Sequence, residues 1–283
     1  MTDPTSASSN TCYRHPDRQS FVLCQRCGRT ICPECQTPAA VGVHCPECVR
    51  EQRAKFTENR RASGPSSLTV ARRRFAMLDQ KATVVLIAVS VVVWLLDRLS
   101  GGFLAQWLAY NSALLPTQPW RIVTVLFVHS GVFHILFNMW ALFIFGRMLE
   151  NMLGTWRFLA LYVISGIAGS MLVTFLAPGT WVVGASGAVF GLFAAFFVLQ
   201  RSLGNNAVQL LVIIGLNLVI GFLPGTNISW QAHVGGVLAG FVTGFVFART
   251  RNVRQRGLQA TLLGLEAVVA IALCFVGYAL TSA

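Results

Sequence analysis

From residue 82 onward polar positions become rare, and the chain reads as long apolar runs separated by short polar joints. Seven runs stand out, at about 82–98, 132–150, 157–177, 185–200, 207–223, 230–248 and 259–280. Each is near the length that an α-helix needs to cross the hydrocarbon core of a bilayer, roughly 20 residues. The pattern predicts an all-α polytopic membrane protein. What precedes the runs is different in kind. Residues 1–11 are rich in Ser, Thr and Pro and are expected to be disordered. Residues 12–48 are crowded with cysteine, and 49–81 are polar and basic. That last stretch holds Gly64-Pro65-Ser66-Ser67, then Arg72-Arg73-Arg74 and Lys81, which reads as a linker leading to a membrane-proximal basic patch or, for the charge run, as a solvated helix face, on the cytoplasmic side in either case.

Composition sharpens this reading. Of 283 residues 54% are hydrophobic and only 11% charged, and seven of the ten acids lie at or before Asp79. The net charge of +12 does not mark a nucleic-acid partner, because the basic residues fall in short clusters between apolar runs. Arg72–Arg74, Lys81, Arg157, Arg201, Arg249, Arg251, Arg254 and Arg256 fall in alternate joints; the opposite side holds only Arg98 and Arg121. By the positive-inside rule the N-terminus is expected to be cytoplasmic and the C-terminus extracytoplasmic, in a multi-pass plasma-membrane protein, and no secretory signal is expected because the first apolar run begins only after residue 80. The first connection, 99–131, is long and amphipathic, with Trp107, Tyr110, Trp120 and Arg121, and is expected to lie in the outer interface.

Seven of the eight cysteines lie between Cys12 and Cys48, in the pairs Cys12-x-x-His15, Cys24-x-x-Cys27, Cys32-x-x-Cys35 and Cys45-x-x-Cys48. Eight ligands suffice for two closed tetrahedral zinc sites, and seven cysteines with one histidine do not pair evenly as disulfides. A stretch with so little apolar core takes its folding energy from metal. Spacing leaves the pairing open, and His44 beside Cys45 is an alternative ligand. The pattern resembles B-box-type zinc fingers of the cross-braced kind. That resemblance implies pairs one and three on one zinc and pairs two and four on the other. Closed sites are structural, so the module is expected to recruit a cytoplasmic partner or to orient the protein.

Four polar groups share a depth in the apolar region. His134 and Asn138 are spaced i,i+4 near the outer end of the second run; Ser186 and His233 lie near the outer ends of the fourth and sixth. Strongly polar groups within a membrane are costly and by default functional. The fourth run reads Gly187-x-x-x-Gly191-x-x-x-Ala195 and the sixth Gly236-x-x-x-Gly240-x-x-x-Gly244, stripes that let two helix backbones approach closely. If they pack, His233 Nε2 reaches Ser186 Oγ as a general base reaches its nucleophile. Between Gly101 and Leu265 the one acid is Glu150, roughly 24 Å along the helix from His134 at ~1.5 Å per residue. A dyad is therefore favoured over a triad. The Asn138 amide, a neutral His134 and the Ser186 backbone N–H are the candidate oxyanion donors. His129, five residues from His134, is expected to face elsewhere and to line the water entrance.

Gly184-Ala185-Ser186-Gly187, Ala232-His233-x-Gly235-Gly236 and His134-x-x-x-Asn138 together resemble the rhomboid intramembrane serine proteases. Trp120-Arg121 and Glu150-x-x-x-Gly154 resemble further signatures of that family. The resemblance covers about 80–250. It implies a six-helix core over 82–250, Ser186 as nucleophile, His233 as base, and His134, Asn138 and the Ser186 amide as the oxyanion hole. Phe190 falls where the family stacks an aromatic ring, often Tyr, on the histidine, and the Trp-Arg loop carries structure rather than chemistry. The departures are additions: a seventh span in 251–283 and the zinc module at 12–48. The implied activity is endopeptidase cleavage of transmembrane protein substrates in the lipid bilayer, with no catalytic cofactor and two structural zinc ions. A non-cleaving rhomboid-like chaperone and a transporter are the alternatives; the intact Ser/His pair opposes the first, and the lack of an inverted repeat opposes the second.

Overall fold

Apolar runs must satisfy every backbone N–H and C=O internally when they leave water, and here they do so as helices. The structure, a computed structural model, describes residues 10–62, 80–221 and 228–282, in two compact units, Met1–Met77 and Leu78–Ala283. The N-terminal stretch to residue 9, Gly64-Pro65-Ser66-Ser67 and Arg72–Arg74 lie outside the described residues.

The first unit is built from short pieces. Strands β1 (Thr37–Pro38) and β2 (Val43–His44) pair antiparallel, and helix α1 (Pro46–Ala62) grows directly out of the fourth cysteine pair. Pro46 opens it, where a missing N–H costs nothing. α1 carries into the stretch expected as linker. It has no apolar stripe to betray it, but Glu, Arg, Gln, Lys and Ala are strong helix formers.

The second unit contains α2 (Lys81–Leu99), α3 (Phe103–Leu108), α4 (Arg121–Thr124), α5 (Val132–Leu153), α6 (Thr155–Leu176), α7 (Ser186–Ser202), α8 (Val208–Gly221), α9 (Trp230–Arg249) and α10 (Arg256–Thr281). Among the described residues all seven apolar runs are helical. Among the described residues five helices are long and apolar enough to cross a membrane; α7 is shorter at 17 residues, and α8 has 14. The core is the six-helix set α2, α5, α6, α7, α8 and α9, with α10 as the addition.

α6 sits at the centre. Phe158, Leu161 and Tyr162 are fully buried, and Ser165, Gly166, Gly169 and Ser170 provide flat surface for its neighbours. Gly154 turns the chain from α5 into α6 at φ +82°, a conformation that favours glycine. Four residues earlier, buried Glu150 accepts from the N–H groups of Ala82 (3.0 Å) and Thr83 (2.8 Å) and the hydroxyls of Thr83 (2.7 Å) and Thr155 (2.9 Å). It thereby caps α2, which has no side-chain cap of its own.

The first connection folds around Arg121. This buried guanidinium donates to Gln118 Oε1 (2.6 Å) and to the carbonyls of Ala109 (2.5 Å) and Gln106. Trp120 Nε1 donates to the Trp107 carbonyl at 3.1 Å, and Tyr110 pairs with Val182 through two 2.9 Å backbone bonds. α10 packs along α6 and α9. The Thr243 hydroxyl lies 2.9 and 3.0 Å from the Glu266 carboxyl oxygens, and Gly277 fits against Phe175 and Thr174.

Candidate active site

The glycine stripes of α7 and α9 meet. A Cβ added at Gly236 would stand 1.9 Å from the Gly187 carbonyl oxygen, and one at Gly240 2.2 Å from that of Gly191. α6 closes on the same seam: a Cβ at Gly235 would stand 2.3 Å from the Ala168 carbonyl oxygen. Three backbones are thus in near contact, a packing available only to residues without side chains.

At the end of this seam His233 Nε2 lies 2.9 Å from Ser186 Oγ. Ser186 is the first residue of α7 and half-buried, while His233 is buried. The Phe190 ring stacks on the imidazole, centroids 4.1 Å apart and planes 15° from parallel. The imidazole therefore rests on Phe190, one turn along α7, with Nε2 toward the serine. His233 Nδ1 has no hydrogen-bond partner among the described residues, and no carboxylate attends it. Asp97 is engaged elsewhere, accepting from Ala105 N–H at 2.7 Å, and Glu150 caps α2.

His134 also reaches this point. Its Nδ1 accepts from the Ser130 N–H (3.4 Å) and lies 3.0 Å from the Ser130 hydroxyl, an arrangement that leaves the ring proton on Nε2. Nε2 presses on Gly184: a Cβ there would stand 2.6 Å from it and 3.7 Å from Ser186 Oγ. Gly184 also adopts φ +123°, so both its backbone and its missing side chain suit the approach. The N–H groups of the first turn of α7 are free of intrahelical partners, as at any helix start. Asn138, by contrast, donates from Nδ2 to the His134 carbonyl at 2.8 Å, and among the described residues it makes no hydrogen bond to Ser186 or His233. Its second amide hydrogen remains.

His129 departs from the expectation. It is fully buried, its Nε2 accepts from the Ala185 N–H at 3.5 Å, and its ring meets His134 edge-on at 5.1 Å. It braces the turn before Ser186 rather than lining a water entrance. Helical spacing does not relate the two histidines, because α5 begins only at Val132 and residues 129 and 134 do not share a helix.

The first unit gathers its metal-ligand candidates into two clusters, Cys12, His15, Cys32 and Cys35, and Cys24, Cys27, Cys45 and Cys48. His44 stands in β2 and belongs to neither. Four donors at ~2.3 Å (sulfur) and ~2.0–2.1 Å (nitrogen) around zinc stand roughly 3.5–3.8 Å apart when tetrahedral. The observed separations match: His15 Nδ1 is 3.8, 3.4 and 3.5 Å from the sulfurs of Cys12, Cys32 and Cys35, and the Cys27 and Cys45 sulfurs are 3.7 Å apart. Burial pushes the Cys12 and Cys24 thiols up, but backbone N–H groups of Cys32 and Arg14 on one, and of Arg26 and Cys27 on the other, bring both to about 6. Burial carries Cys35 to about 11 and Cys48 to about 12. A metal would enter each cluster at a thiolate and displace protons from the rest.

A rhomboid-domain family model matches residues 116–250, from just before α4 to the end of α9. The chain is 33% identical over 178 residues to the rhomboid protein YdcA of Bacillus subtilis (strain 168), covering 60% of this chain and 89% of that one. It is 31% identical over 214 residues to the rhomboid protease GluP of the same organism, covering 71% and 41% of the two chains. It is also 40% identical over 139 residues to RHOMBOID-like protein 1 of Arabidopsis thaliana, covering 46% and 35%. With YdcA matched over nearly its whole length and the family model spanning the serine and the histidine, this multi-pass membrane protein belongs to the rhomboid family.

Proposed function

We propose that the chain is an intramembrane serine endopeptidase that cleaves transmembrane segments of membrane proteins through Ser186 and His233. The observation that carries this reading is the 2.9 Å contact between Ser186 Oγ and His233 Nε2 beneath a stacked Phe190. His233 Nε2 takes the proton as Ser186 Oγ attacks the scissile carbonyl, and the charge moves to the substrate oxygen. In this reading His134 Nε2–H and the Ser186 N–H donate to that oxygen, and Asn138 joins them by turning its second amide hydrogen from α5. Each well-placed donor of this kind is worth ~2.7–4 kcal/mol. His233 then returns its proton to the leaving amine, and water releases the acyl group, with no cofactor in the chemistry.

The active-site end is assigned to the outer leaflet of the plasma membrane, with the N-terminus cytoplasmic, on the distribution of basic residues. The first unit is assigned as a B-box-like double zinc finger that recruits a cytoplasmic protein. Phe21 and Val41, 77% and 78% exposed, offer apolar surface for that partner. In proteoliposomes with a single-span reporter, wild type is expected to release a fragment cut in or beside the span. Ser186→Ala and His233→Ala are expected to release none. A reporter bound but left whole by the wild type would favour the non-cleaving chaperone.

A further inference from the structure

At the end of the bundle opposite Ser186 the helices part around a cavity of about 410 Å³. Its walls come from α5 (Met152, Leu153), α6 (Arg157), α7 and the residue after it (Leu199, Leu203), α9 and its following joint (Phe247, Thr250, Arg251), and α10 (Gln259). The volume falls within the ~300–1,000 Å³ of small-molecule sites.

Its chemistry is divided. Leu199 and Phe247 are buried apolar floor, continued by Leu153 and Leu203. Two guanidiniums, Arg157 and Arg251, share the space with them, and among the described residues neither has a carboxylate partner. Glu150, the acid nearest in the chain, spends both its oxygens on Ala82, Thr83 and Thr155. Arg157 is held in place by a relay through three elements. Gln259 Nε2 donates to Thr250 Oγ1 (2.7 Å) and its carbonyl (3.2 Å), which turns Gln259 Oε1 to accept from Arg157 Nε at 2.5 Å. Arg157 Nη1 donates to the Leu153 carbonyl at 3.2 Å. Gln259 belongs to α10, so the seventh helix completes the wall and fixes the cation.

A guanidinium fixed beside an apolar trough, without an acid, calls for an anion that brings apolar surface with it. We propose that this cavity binds the headgroup phosphate of an anionic phospholipid, with Arg157 and Arg251 on the phosphate and the first methylenes of an acyl chain along Leu199, Leu203 and Phe247. A free phosphate would leave the apolar walls unused, and a zwitterionic lipid brings its own cation to a site that already carries two. Basic pockets between membrane helices bind such headgroups on general electrostatic grounds.

The test uses the full chain in neutral detergent, stripped of lipid, with binding measured by calorimetry for three probes. These are dioctanoyl-phosphatidylglycerol, dioctanoyl-phosphatidylcholine and inorganic phosphate. The anionic lipid is expected to bind at least about tenfold more tightly than either other probe, with one site per chain. Arg157→Gln with Arg251→Gln is expected to abolish that preference, and Arg157→Lys with Arg251→Lys to retain part of it. Equal binding of the two lipids reduces the cavity to an apolar trough and overturns the proposal. Equal binding of inorganic phosphate shows a simple anion site and overturns it too. The comparison of headgroups on the wild type decides the matter even if the glutamine variant does not fold.

Discussion

The two units of this chain are organised on opposite principles. The first has almost no core: its buried side chains are chiefly the cysteines and Ile31, and they surround two points where a metal fits. The second has its organising feature along a line, the seam where glycines of α7 and α9 remove side chains so that backbones touch. One gathers donor side chains around two points, the other runs along a contact made by what is missing. Each should therefore fail in its own way.

The largest expected effect is on the first unit. Structural zinc contributes about 10–16 kcal/mol to small metal-folded modules. Chelation of the full chain should remove amide protection over residues 10–62 in hydrogen exchange and leave α6 and α9 unchanged. Loss of protection in α6 would show that the units are not separately held. The seam is tested next by Gly236→Val, whose side chain has the Gly187 carbonyl in its place. Overpacking ordinarily costs ~1–3 kcal/mol, and more where only backbone can yield. The variant should fail to accumulate as folded protein, while Gly264→Ala on α10, which faces open space, should fold normally.

Smaller effects sharpen the picture within the bundle. Glu150→Gln removes acceptor capacity from a carboxyl serving four donors, and should cost on the order of 2–3 kcal/mol, read as a lower unfolding midpoint with Ser186 chemistry intact. Phe190→Ala takes away the ring on which the imidazole rests. A stacked pair is worth ~0.5–1.5 kcal/mol, so turnover should fall roughly two- to tenfold, and Phe190→Tyr should restore it. The smallest effect is at Thr243→Val, which removes the α9 hydroxyl from Glu266; polar contacts between membrane helices average ~0.6 kcal/mol.

The line-like unit was far more legible in the sequence than the details around it. Helical spacing works where a helix exists, so the seven apolar runs, the glycine stripes and the meeting of Ser186 with His233 follow from counting by four. The same counting misplaces His129, because that residue lies before α5, outside any helix. Nothing in the pattern of α6 announces that it is the central helix, since small and apolar residues occur all round it and leave no stripe. α1 escapes notice for the converse reason, its sequence being polar at most positions, with Val49 and Phe56 as its large apolar residues. The cysteine pairs were visible as ligands, but which pairs join is a matter of tertiary closure that spacing leaves open.

If Ser186 is a nucleophile armed by His233, a fluorophosphonate or isocoumarin probe should label the full chain in detergent covalently at Ser186, and should label neither Ser186→Ala nor His233→Ala. Equal labelling of His233→Ala, or a folded wild type that resists both probes, would remove the nucleophile from the site.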